Sequence, residues 1–93
     1  MRRFDSRLVS LFDNSIGPEG TKCLAEALKN QETLTELNLD CNEIGNQGAV
    51  ALGSALKTNS VLKTLHLYEN KIEDKGAQPL GEALRTNSNL VEL

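Results

Sequence analysis

Aromatic side chains are scarce in this chain: it has no tryptophan, and Phe4, Phe12 and Tyr68 supply its 3% aromatic content. An interior assembled from rings is therefore excluded, and 39% hydrophobic residues over 93 positions point to one small domain with an aliphatic core. No apolar run approaches the ~20 residues that a helical membrane span requires. The opening Met1-Arg2-Arg3 leads into polar sequence, not into a signal-peptide core. Basic clusters are missing as well. With a net charge of −3 and scattered Lys and Arg, the chain has no stripe that would neutralise phosphates or anionic lipid, so neither nucleic acid nor membrane is an expected partner. There is no glycine-rich phosphate loop and no nucleophile motif around the single histidine, His66, so catalysis is not expected and no cofactor is implied.

What the sequence does hold is repetition. Leu34, Leu37, Leu39, Asn42, Ile44, Gly48, Leu52 and Leu56 recur 28 residues later as Leu62, Leu65, Leu67, Asn70, Ile72, Gly76, Leu80 and Leu84. One interval earlier, Val9, Leu11, Asn14, Ile16, Gly20, Leu24 and Leu28 fill the same places, with Ser6 where the first leucine belongs. A period of this size predicts a solenoid. The expected layout is a short extension, 1–5, then a repeat domain, 6–93, made of units 6–33, 34–61 and 62–89 and a stub, 90–93, opened by Leu90 and Leu93.

Each unit changes period along its length. LxL spacing sets Leu37 and Leu39 on one side of an extended segment, whereas Leu52 and Leu56, with Ala49 and Ala55, form a helical stripe. The prediction is an α/β fold in which parallel strands line a concave face and helices the convex one, as a right-handed superhelix. Helices are ~10 Å thick and strands pair ~4.8 Å apart, so stacking them curves the sheet inward. Small residues at Gly20, Gly48, Gly76, Ala25, Gly53 and Gly81 are expected to let helices approach.

Asn46 and Asp74 stand where helix N-caps are wanted, and Gly17-Pro18 serves the first helix. Asn59 and Asn87 suit left-handed helix endings. Pro79 replaces Ala51 and Cys23 of the other units; inside a helix it would cost ~3 kcal/mol, so the third helix is expected to start late or kink. Asn14, Asn42 and Asn70 recur at the bend after each strand, where a stacked amide can satisfy backbone groups as both donor and acceptor. They are read as a structural ladder. Cys23 on a helix and Cys41 after a strand fall on opposite faces, so no disulfide is expected, and unpaired cysteines fit a reducing, cytoplasmic setting.

The string LxxLxLxxNxIxxxGxxxLxxALxxNxx resembles the ribonuclease-inhibitor-like class of leucine-rich repeats from Ser6 to Leu93. Within it, GAVALGSALKTN and GAQPLGEALRTN look most like the repeats of NOD-like receptors; similar repeats occur in Ran GTPase-activating protein and tropomodulins. The resemblance implies a non-enzymatic horseshoe segment that binds proteins, in NOD-like receptors as part of an innate-immunity sensor. No nucleotide-binding, CARD or pyrin-like segment accompanies it.

The strand residues that point away from the core are Leu8, Ser10 and Phe12; Glu36, Asn38 and Asp40; Thr64, His66 and Tyr68. Rows across the strands then read Phe12–Asp40–Tyr68 and Ser10–Asn38–His66, with Asp13, Cys41 and Glu69 following. Aromatics among polar residues favour an interface. The candidate protein-binding set is Phe12, Asn38, Asp40, His66, Tyr68 and Glu69, with Phe12 and Tyr68 foremost. The competing reading is ordinary exposed strand positions. His66, Asp40 and Cys41 are zinc-ligand types, but their spacing has no motif character, and a solvated histidine is expected.

Polar capping units are not evident at either end, so self-association through exposed repeat ends is expected, with Phe4 folding over part of the front edge. The alternative function is regulation of a small GTPase, which would need residues that cannot be matched here. The abrupt start and stop also suit a fragment or a chain designed to study repeat stacking.

Overall fold

The structure, a computed structural model, describes residues 8–86. The expectations placed on Phe4, Ser6, Asn87, Leu90 and Leu93 lie outside the described residues. Strands β1 (Leu8–Ser10), β2 (Glu36–Asn38) and β3 (Thr64–His66) alternate with helices α1 (Gly17–Lys29), α2 (Gly45–Thr58) and α3 (Asp74–Thr86). The strands form one parallel sheet in the order β1-β2-β3, with Leu8, Glu36 and Thr64 in register, then Val9, Leu37 and Leu65, then Ser10, Asn38 and His66. The fold is the expected α/β solenoid: α1 packs on α2 and α2 on α3, β1 pairs with β2 and β2 with β3, and Leu37 and Leu65 of the strands share one core with the helices.

Burial follows position in the stack. In the middle unit Leu37, Leu39, Ile44, Leu52 and Leu56 are essentially inaccessible, because an adjacent coil covers each side. The same letters at the ends fare differently: Val9 is 38% exposed and Leu84 39%. Leu11, Ile16, Leu24, Leu67 and Ile72 are only partly covered. A fully buried leucine contributes about 1.5–3 kcal/mol, so the middle unit draws on both neighbours for stability.

Helix contact depends on missing side chains. A Cβ on Gly53 would lie 2.9 Å from the Pro79 carbonyl, and one on Gly76 would lie 2.9 Å from the Ala49 Cβ. Gly48 faces Thr21 in the same manner. The expectation for Gly20 and Gly81 does not carry over: Gly20 meets only its own unit's Ile16, and nothing lies within 4 Å of the Gly81 position. Both belong to outer helices.

The bend after each strand is unusual backbone held by the asparagines. Asp13, Cys41 and Glu69, and two residues later Ser15, Glu43 and Lys71, all have φ between 52° and 60°. Non-glycine residues in this left-handed region cost of order 1–2 kcal/mol each. Asn42 offsets this cost by donating Nδ2 to the Leu39, Asp40 and Leu11 carbonyls at 3.0, 3.2 and 2.8 Å, while its Oδ1 accepts from Asn14 N at 2.8 Å. Asn70 repeats the pattern on Leu39 O and Asn42 N. Only glycine fills the third left-handed position, Gly17 and Gly45.

Three local expectations are corrected. Pro79 lies inside α3, which begins at Asp74, so the helix does not start late enough to place proline in its first turn. Gly53 of α2 lets that turn approach closely, since a Cβ there would lie 2.9 Å from the Pro79 carbonyl. Asn46 is not the cap of α2: that helix begins at Gly45, after Ile44, and has no side-chain cap. Its Oδ1 instead accepts from Glu73 N at 2.8 Å and Gly76 N at 3.2 Å, so Asn46 caps the helix of the following unit. Asn59 is extended, with φ −83° and ψ 118°, because its side chain is committed elsewhere. Its Oδ1 accepts from Val61 N and Leu62 N, both at 2.8 Å, and its Nδ2 reaches Leu28 O at 2.7 Å.

Candidate functional site

The face of the sheet turned away from the helices is built by alternation. With Leu37 and Leu65 directed into the core, Glu36 and Asn38, and Thr64 and His66, project to the other side. Pairing continues beyond the formal strand ends: Leu11 N donates to Asn38 O at 2.8 Å, Asp13 N to Asp40 O at 3.0 Å, Leu39 N to His66 O at 2.9 Å and Cys41 N to Tyr68 O at 2.8 Å. This extension keeps Phe12, Asp40 and Tyr68 in one row across the three coils.

That row is the most exposed apolar feature of the sheet face. Tyr68 is 72% exposed and Phe12 55%, and Leu8 is exposed two rows away on β1. Asp40 holds the middle place of the row, and its Oδ1 accepts from Tyr68 N at 2.6 Å, which fixes the carboxylate against the third coil. Asn38 Oδ1 accepts from Asp40 N at 2.9 Å, so part of its hydrogen-bonding capacity holds the strand end in place. His66 does not approach Asp40 or Cys41 in any hydrogen bond. Its Nε2 lies 2.9 Å from Glu36 Oε2, a diagonal pair across β2 and β3. Among the described residues, no group of three His, Cys, Asp or Glu side chains has an arrangement that could hold a metal ion.

Acidic groups converge beyond the aromatic row. Asp13 and Glu69 are exposed, and the half-buried Cys41 lies between them on the neighbouring coil. Burial raises the Cys41 thiol above its ordinary value, and the carboxylates of Asp13, Glu69 and Asp40 raise it further. The thiol therefore stays protonated and is a poor nucleophile. Both cysteines are free, with Cys23 exposed on α1. The ion pairs among described residues, Lys22–Glu19, Lys29–Glu26, Lys57–Glu82 and His66–Glu36, leave Asp13, Asp40 and Glu69 without a cationic partner there.

The rows expected from the repeat interval are those of the structure, and Phe12, Asn38, Asp40, His66, Tyr68 and Glu69 lie along them. The interval by itself assigns no role to Glu36 or Asp13. The Glu36–His66 pair spans 30 residues, two more than the repeat, and that diagonal offset was the available signal.

The family model for the leucine-rich repeat matches residues 30–53 and 58–81, just over half of the chain. No curated protein matches in sequence. Among solved structures, leiomodin-1 actin-binding site 2 superposes with a TM-score of 0.88 at 27% identity, over 94% of this chain and 51% of that one. The chain thus spans about half the length of the leiomodin structure it matches.

Proposed function

The chain belongs to the leucine-rich repeat family, and from that premise we propose that it is a non-enzymatic protein-interaction module whose ligand surface is the concave sheet face, with actin as the first partner to test. The observation that carries the reading is the Phe12–Asp40–Tyr68 row, two exposed rings on a sheet whose other face is buried under helices. Similarity to the leiomodin actin-binding site supports the choice of actin. Asn38, His66 and Glu69 complete the surface, and the ladder of Asn14, Asn42 and Asn70 is its scaffold. A cytoplasmic setting and the unit boundaries 6–33, 34–61 and 62–89 belong to this proposal.

The test is cosedimentation of the chain with actin filaments. Pelleting that is lost in a Phe12→Ala/Tyr68→Ala variant of unchanged thermal stability supports the proposal. Failure of the native chain to pellet removes actin, and equal pelleting of the variant removes the concave face.

A second reading rests on GAVALGSALKTN and GAQPLGEALRTN: a ribonuclease-inhibitor-like array from a NOD-like-receptor sensor, using the same face for another protein. It is favoured if actin does not bind and a different protein is captured in a Phe12- and Tyr68-dependent manner. Association of copies through their ends is tested by measuring mass across dilution. The small-GTPase alternative is separated by Ran GTP hydrolysis with and without the chain.

A further inference from the structure

Resting on the reading of the concave face as the binding side, we infer that the Phe12–Asp40–Tyr68 row is a seat for an arginine side chain of the partner. Adjacent parallel strands lie ~4.8 Å apart, so Phe12 and Tyr68, on the first and third coils, stand about 10 Å apart along the row. A flat guanidinium can enter that span and remain within the ~6 Å of a ring face over which cation–π attraction acts. Asp40 holds the middle place of the row. Its Oδ1 is bound to Tyr68 N, which leaves Oδ2 to accept from the incoming group.

Charge complementarity favours the same occupant. Asp13 and Glu69 flank the row with no cationic partner among the described residues, and the ion pairs that do form lie elsewhere. His66 is engaged with Glu36. Lys71 is the nearest lysine in sequence, two residues beyond Glu69 and at the next left-handed position. Even with Lys71 counted, the carboxylates of Asp13, Asp40 and Glu69 leave this surface acidic among the described residues. Asp13, Glu69 and Asp40 all push the Cys41 thiol upward, after burial, in keeping with carboxylates gathered around one coil end. A partner with acidic contacts would meet repulsion here, and an uncharged apolar one would bury Asp40 without compensation. Arginine satisfies both the rings and the carboxylates.

The chain carries its own reporter, since Tyr68 is its only tyrosine and it has no tryptophan. Tyrosine emission is titrated with a capped peptide of four arginines separated by glycines, and with the same peptide carrying citrulline, an uncharged isostere, or glutamate. The expected result is a saturable change with the arginine peptide alone. It should weaken about fivefold or more in Asp13→Asn/Glu69→Gln and about two- to fivefold in Phe12→Ala. Equal responses to arginine and citrulline, or preference for the glutamate peptide, would overturn the inference. Pelleting with actin that depends on Phe12 and Tyr68, without any response to arginine, also overturns it while leaving the proposed function intact. A response to arginine without actin pelleting upholds it and removes actin alone.

Discussion

Asn70 Oδ1 accepts the backbone N–H of Asn42 at 2.7 Å, joining two residues that occupy the same place in successive coils. Asn42 in turn accepts from Asn14 N, so a single side-chain type threads the three bends. This thread holds Cys41 and Glu43, and their counterparts, in left-handed backbone, and that backbone fixes where Asp40 and Tyr68 emerge.

Replacing a central rung should therefore cost far more than replacing an outer one. Asn42→Ala strands the Leu11 carbonyl and the Asn14 N–H and leaves Leu39 O with Asn70 as its remaining side-chain donor, with an expected loss of about 2–5 kcal/mol. Asn14→Ala removes one exposed bond, to Phe12 O at 3.2 Å, and should cost under about 1 kcal/mol. Urea unfolding of both variants checks the contrast, and equal losses would contradict the ladder.

Pro79→Ala should stabilise the protein. The exchange restores a backbone donor in the interior of α3, where proline is about 3 kcal/mol worse than alanine, and it keeps the Cβ that packs against Gly53. Gly53→Ala should destabilise by about 1–3 kcal/mol, because its methyl group would collide with the Pro79 backbone. Opposite shifts in the unfolding midpoint are the predicted signature.

Asn46→Ala should loosen α3, the helix that does not contain it. Losing the acceptor for Glu73 N and Gly76 N is expected to cost about 0.5–2 kcal/mol. Hydrogen exchange should accelerate at Glu73, and less at Gly76, which also donates to Glu73 O at 3.0 Å, while the amides in the middle of α2 remain protected. Loosening confined to α2 would refute the cross-unit cap.

Cys41 should alkylate more slowly than Cys23 at pH 8. Burial and the Asp13, Glu69 and Asp40 carboxylates keep its thiol protonated, and the thiolate is the reactive form. Its rate should climb as pH rises through and above the ordinary thiol range, and Asp13→Asn/Glu69→Gln should speed it. The decisive comparison is mass-spectrometric labelling of the two sites. Labelling of Cys41 at the rate of Cys23 would contradict the protonated thiol.

These contrasts also explain what the sequence could disclose. Leu37, Leu39, Ile44, Leu52 and Leu56 announce themselves by spacing, and the repeat interval alone aligns Ser10, Asn38 and His66 across the sheet. Position within the stack is less visible. Val9 and Leu84 carry core letters yet lie partly open, because burial of a repeat residue depends on the neighbouring coil. Asn46 looked like a local cap because its acceptor atoms are assigned by a contact 27 residues away. Pro79 lies inside α3 although its letter argues for a helix start, and its close approach to Gly53 on the adjacent helix is a tertiary contact that the local sequence does not carry. Of the candidate site, the rows were readable. Commitment of Glu36 to His66 and of Asp40 to Tyr68 N required the coils to be stacked first.

Hydroxyl-radical footprinting of the chain, free and in the presence of actin, separates the concave face from the helices as the ligand surface. Phe12, His66 and Tyr68 should become protected, while Val50 on α2 and Cys23 on α1 react as before. Protection on the helices with Phe12 and Tyr68 unchanged would contradict the concave face as that surface.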